Sequence, residues 1–138
     1  VPDDTLLDDP ARLTEADTDG LLRAAALAGA QVRSVLETAA ERGVTRSLAD
    51  FRPRALILVT RPGHGRSIAD LLVALLGPTC PVPVVVTEEV PSWVGPLDVV
   101  ITHTEDPGDR VLAESIGRAT RYGATTVLTA PPDGPVAR

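Results

Sequence analysis

Ala55-Leu56-Ile57-Leu58-Val59-Thr60 runs directly into Arg61-Pro62-Gly63-His64-Gly65, and this junction decides the fold. An apolar run with no polar alternation is what a strand needs when helices cover both of its faces. The glycine-bearing loop leads into Ser67–Leu76, where Ile68, Leu71, Leu72 and Leu75 recur at helical spacing before Gly77-Pro78 ends the helix. The same alternation then continues. Val84–Thr87 reads as a second strand and Asp98–Thr102 as a third. A helix over Asp109–Tyr122 turns Val111, Leu112, Ser115, Ile116 and Ala119 inward, Gly123 stops it, and Thr125–Thr129 is a fourth strand. Strand–helix alternation with apolar strands predicts a Rossmann-like α/β fold, a three-layer α-β-α sandwich on a parallel sheet. In such sheets ligands sit beyond the carboxyl ends of the strands, so the loops after Thr60, Thr87, Thr102 and Thr129 are where chemistry belongs.

Upstream of this block, residues 1–17 form an acidic, proline-punctuated arm with Asp3, Asp4, Asp8, Asp9 and Pro10, in which Leu6, Leu7 and Leu13 read as anchors onto the domain. Thr18 or Asp19 is placed to cap a helix over Leu21–Arg42. Its apolar positions Leu21, Ala24, Ala25, Ala28, Val32, Val35, Leu36 and Ala39 share one face, and Gly43 stops it. That face reads as a packing surface, or alternatively as part of a dimer interface. The domain is expected to span 18–130. Residues 131–138 are turn-rich and read as a linker or the start of a second domain, so a piece of a longer protein is expected.

The chain has 138 residues, enough for one hydrophobic core. With 43% hydrophobic and 23% charged residues it is globular rather than disordered. A net charge of −6 has the wrong sign for a nucleic-acid or anionic-membrane surface. Every cation is an arginine, which removes both the P-loop lysine and Schiff-base chemistry. Aromatic residues make up 2%, too few for base-stacking platforms. No apolar run approaches the ~18 residues of a membrane span. The single cysteine, Cys80, excludes an intrachain disulfide and fits a cytoplasmic location; between prolines it reads as a small buried residue, not a nucleophile.

Two loops carry candidate chemistry. In Gly63-His64-Gly65-Arg66-Ser67 the glycines let backbone approach an anion, the helix amides supply positive potential, and Arg66 and Ser67 add donors. The competing reading is a plain reversal turn; the third glycine of a dinucleotide fingerprint would fall at Ile68. In the loop after the third strand His103 and Thr104 offer hydrogen bonds, while Glu105 and Asp106 add negative charge that opposes a phosphate or simply favours a helix start. His64 and His103 fall in equivalent positions and, with Glu105 or Asp106, could form a metal site or an acid–base pair; the spacing is not that of a local metal motif, and two loop histidines with ordinary hydrogen bonds are the favoured reading. Glu88 and Glu89 read as a solvated pair.

From Leu21 to Ala130 the order of these parts resembles a sugar isomerase (SIS) domain, and is similar to the N-terminal half of the bacterial and archaeal phosphoglucose/phosphomannose isomerases, in a divergent actinobacterial branch. Where that family reads G-G-S-G-I-A-G-D-L-L, this chain has Gly63-His64-Gly65-Arg66-Ser67-Ile68-Ala69-Asp70-Leu71-Leu72. The family's S-Y-S-G-N-T-E-E-T-L aligns with His103-Thr104-Glu105-Asp106-Pro107-Gly108-Asp109-Arg110-Val111-Leu112, so His103, Glu105 and Gly108 replace its phosphate-holding hydroxyls.

The resemblance implies a domain that binds a phosphosugar or carbohydrate derivative through Gly63, His64, Gly65, Arg66, Ser67, His103, Thr104 and Glu105, with no metal or cofactor. It also implies a homodimer or pairing with a second SIS domain. In an intact enzyme the chemistry would be aldose–ketose interconversion of glucose or mannose 6-phosphate, through an enediolate. The family's glutamate base and ring-opening histidine come from a second domain, so no catalytic residue is assigned here. The alternative is an inactive sugar-derivative-sensing or protein-interaction domain on the same fold.

Overall fold

The computed structural model describes residues 4–137; Val1, Pro2 and Asp3 of the acidic arm, and Arg138 of the closing run, lie outside the described residues. The chain divides into two compact units, Val1–Asp50 and Phe51–Arg138, a boundary that falls inside the 18–130 stretch expected from sequence as one domain.

The first unit is helical, with α1 (Pro10–Ala16), α2 (Leu21–Glu41) and α3 (Val44–Leu48). Asp9 caps α1, its carboxylate accepting from the Ala11 and Arg12 amides. The cap of α2 differs from the expected Thr18 or Asp19. Gly20 takes the cap position in left-handed backbone, and Asp17 reaches over it to accept from Leu21 N at 2.7 Å and Leu22 N at 3.0 Å. An aspartate three residues upstream of the usual place does the capping because the intervening turn folds it back. Nor does α2 bury the stripe expected of a packing helix: no residue of it is buried, and Leu21, Val32, Val35 and Leu36 are exposed. Leu7 is exposed too, so it anchors nothing, whereas Leu6 and Leu13 are half-buried.

The second unit is the α/β sandwich. Its strands are β1 (Ala55–Val59), β2 (Val84–Thr87), β3 (Asp98–His103) and β4 (Thr125–Thr129), all parallel in the order β2-β1-β3-β4. Helix α4 (His64–Leu76) links β1 to β2, and α5 (Arg110–Arg121) links β3 to β4. The two crossovers leave the central strands toward opposite edges. Right-handed connections therefore place α4 and α5 on opposite faces, which makes three layers.

The core fills the α5 face. Ile57, Val59, Val100, Leu112, Ile116 and Ala119 are buried there, the helix contributing at i, i+4 and i+7 spacing. The connection from β2 to β3 crosses this face: Val90 and Val94 are buried, and the Val90 amide donates to the buried Ser115 hydroxyl at 2.7 Å. The turn-rich end joins it as well. Pro135–Ala137 forms a 3-10 turn whose Val136 is buried in the core. Gly134 lies so close to the Pro107 carbonyl that an added Cβ would overlap it, and would stand 2.6 Å from the Pro107 Cβ. The end of the chain thus braces the β3–α5 loop, and only glycine fits at the point of contact. On the opposite face α4 buries Ala69 alone and leaves Ile68, Leu71, Leu72 and Leu75 exposed.

Candidate functional site

The central strands β1 and β3 are neighbours whose chains depart in opposite directions, and this topological switch point opens a crevice beyond their carboxyl ends. Arg61, Pro62, His64 and Gly65 from the β1–α4 loop and His103, Thr104, Glu105, Asp106 and Asp109 from the β3–α5 loop line an open cleft of about 290 Å³ there. Thr102 ties the strand ends together beneath it, its hydroxyl donating to the Val59 carbonyl at 2.7 Å.

Helix α4 starts at His64, three residues before the expected Ser67, because Gly63 adopts φ 125°, ψ −153° and turns the chain at once into the helix. A side-chain-bearing residue is strained in that backbone region. The early start decides which amides remain for a ligand. The Gly63 carbonyl accepts from Arg66 N at 3.1 Å and Ser67 N at 3.3 Å, so the Arg66 amide, read from sequence as an anion donor, is spent inside the helix. His64 and Gly65 amides have no hydrogen-bond partner among the described residues. The Arg66 side chain binds Asp70 one turn on, at 3.0 Å, and neither Arg66 nor Ser67 lines the cleft. Gly63 is exposed at the cap and also outside the lining. Of the eight sequence-derived site residues, His64, Gly65, His103, Thr104 and Glu105 are brought together.

The second loop is more constrained than its sequence implies. Thr104 N continues the sheet ladder to Thr129 O at 3.0 Å, and the Thr104 hydroxyl is engaged locally with Asp106 N and O, both at 3.1 Å. Asp106 accepts from Gly108 N at 2.8 Å. His103 Nδ1 lies 2.9 Å from the Thr129 hydroxyl, which orients the ring from β4. Glu105 is exposed.

Sequence reasoning missed Arg61 and the part played by Asp109. Among the described residues Arg61 is the only arginine lining the cleft, and its guanidinium forms an ion pair with Asp109, Nε lying 3.1 Å from Oδ2. The other Asp109 oxygen caps α5, accepting from Leu112 N at 2.9 Å. Glu88 stands 3.9 Å from Arg61 in an exposed pairing of little energetic weight. The available signal was positional: Arg61 is the first residue past the strand, and Asp109 precedes a helical run as an N-cap does. Glu88 and Glu89 are exposed as read, Glu89 facing Arg118 at 3.6 Å. Cys80 is a free, half-buried thiol. Among the described residues no group of three or more His, Cys, Asp or Glu is placed to hold a metal, and no helix is long and apolar enough to cross a membrane.

No family model matches this chain, and no curated protein matches it either. A solved crystal structure of a hypothetical protein is similar, with a TM-score of 0.58 and 22% identity, covering 86% of this chain. The chain spans 63% of that protein's length. At this identity the likeness shows the fold alone, an α/β sandwich built on a parallel sheet.

Proposed function

We propose that this chain is a sugar-isomerase-type (SIS) domain that binds a carbohydrate derivative, a phosphosugar first among them, in the cleft between the ends of β1 and β3. The observation that carries the reading is convergence: two unspent amides at the start of α4, the Arg61 guanidinium and His103 meet at the switch point of a parallel sheet. Amides and the guanidinium suit an ester oxyanion, while the carboxylates of Glu105 and Asp106 suit sugar hydroxyls as acceptors. The order of loops that resembles the isomerases of glucose and mannose 6-phosphate supplies the ligand class.

A binding role without turnover is the reading favoured for this chain, because Glu105 occupies a position where the resembled family holds phosphate with a hydroxyl. Pairing with a second copy or a second such domain belongs to the same proposal, supported by the exposed apolar residues of α4. Calorimetric titration of the protein with glucose 6-phosphate, mannose 6-phosphate and glucose tests it, alongside an isomerase assay. Saturable heat with at least one of them, and no aldose–ketose conversion, is expected. Absence of binding by all three at millimolar concentration would reduce the domain to a scaffold; turnover would replace the binding role with an enzymatic one.

A further inference from the structure

We infer that Arg61, held in place by Asp109, is the residue through which this cleft distinguishes a phosphorylated carbohydrate from a neutral one. The inference rests on the binding role proposed above and adds the group that sets its specificity.

The cleft lining is unbalanced in charge. Glu105, Asp106 and Asp109 each bring a carboxylate, and among the described arginines Arg61 alone opposes them. Among the described residues, loss of Arg61 would leave the fixed side-chain charge around the cleft entirely acidic, and a phosphate dianion would meet repulsion opposed only by two amides and the helix dipole. Arg66, the cation within the glycine loop, is turned onto Asp70. Ser67, the loop's hydroxyl, is exposed outside the lining.

Asp109 shapes how Arg61 can act. Its carboxylate pairs with the guanidinium at Nε, and Glu88 approaches Nη1 only to 3.9 Å, so the terminal nitrogens keep donors for a ligand in the fork geometry that suits phosphate oxygens. Its second oxygen is fixed on Leu112 N at the start of α5, so the carboxylate is held by a rigid element rather than by a loose loop. The pair spans the cleft, joining the end of β1 to the helix that follows β3. Asp109 is therefore a positioning residue, acting on the ligand through the guanidinium.

The test is the ratio of two affinities, measured by calorimetry on the full chain: glucose 6-phosphate against glucose, with inorganic phosphate as a competitor. The wild-type protein should prefer the phosphorylated sugar by about tenfold or more, as a charge-assisted two-point contact implies. Arg61→Gln should bring the ratio close to one while glucose binding persists, and inorganic phosphate should cease to compete. Arg61→Lys should restore part of the preference, since it returns the charge without the fork. Asp109→Asn keeps a competent helix cap and should give an intermediate ratio. Circular dichroism confirms that each variant is folded before its ratio is read.

Arg66→Gln separates the two arginines: collapse of the ratio in that variant, and not in Arg61→Gln, overturns the assignment. A wild-type ratio near one overturns it as well, while leaving the carbohydrate-binding reading standing. Failure of every ligand to bind removes that reading and this inference together.

Discussion

Leu112→Ala is expected to remove about 3 kcal/mol from the stability of the sheet unit, within the range seen when a fully enclosed leucine is truncated. Leu112 has no exposed surface and sits at the first buried turn of α5, packed among Ile57, Val59, Val100 and Ile116. Its neighbours are strand residues fixed by parallel register on both sides of β1 and β3, so the gap has few ways to close. The opposite face provides the contrast. Leu71 and Leu75 on α4 are exposed, and their replacement by alanine should change stability by no more than about 0.5 kcal/mol. In urea, followed by far-ultraviolet circular dichroism, Leu112→Ala should lower the unfolding midpoint by about 1–2 M. Equal midpoints for Leu112→Ala and Leu75→Ala would show that the core lies elsewhere.

The second large effect belongs to Asp98, whose side chain is fully enclosed at the amino end of β3, the end of the sheet away from the cleft. Arg54 meets it with two hydrogen bonds, Nη2 to Oδ2 at 2.6 Å and Nε to Oδ1 at 3.0 Å, and the Gly95 amide adds a third at 2.9 Å. Arg54 also donates to the Trp93 carbonyl and lies over the Trp93 ring, 5.5 Å from its centroid. Burial by itself would raise the Asp98 pKa; the Arg54 hydrogen bonds, the Gly95 amide and the Arg54 charge outweigh it and hold the carboxyl below its ordinary value. The same pairing raises Arg54 above its ordinary value, chiefly through the hydrogen bond.

Asp98→Asn should therefore cost about 2 kcal/mol at neutral pH, mostly the loss of charge-assisted bonds. The pH dependence follows from the direction of the shift. An unfolded aspartate titrates near about 3.9, and the folded group lies below that, so the unfolded state takes up protons first on acidification. The contribution of Asp98 is then complete above that range and disappears as pH falls through the folded value. Wild-type stability should fall more steeply with acid than that of Asp98→Asn. Trp93, the sole tryptophan, gives a fluorescence reading beside the pair. Parallel acid profiles for the two proteins would contradict the account.

How much of this was legible beforehand varied with the physics involved. The four strands and the α5 region announce themselves because each apolar period matches one element, although Val111, expected to face inward, is exposed; β2 and β4 have the ends their sequences imply. The start of α4 was misplaced because residues 64–66 carry no apolar period; the determinant is the Gly63 backbone angle, which composition does not encode. Capping of α2 by Asp17 was hidden for a related reason, a turn bringing a side chain back from outside the expected position. The cleft loops were legible as loops at the right ends of the right strands. Arg61 and Asp109 were not legible as a pair, since forty-odd residues separate them and only the β1–β3 adjacency brings them together. The burial of Val136 was likewise invisible, because a proline- and glycine-rich run reads as linker until its valine finds the core.

The central claim is that the crevice between β1 and β3 receives a carbohydrate derivative on the start of α4. Its most direct test is nuclear magnetic resonance of the nitrogen-15-labelled chain during titration with glucose 6-phosphate. The account predicts saturable shifts largest at the His64 and Gly65 amides and the Arg61 guanidinium, with smaller ones at His103 and Thr104. Amides of His64 and Gly65 that stay in place while the ligand is present in excess, or shifts confined to the far ends of the strands around Asp98, would contradict it.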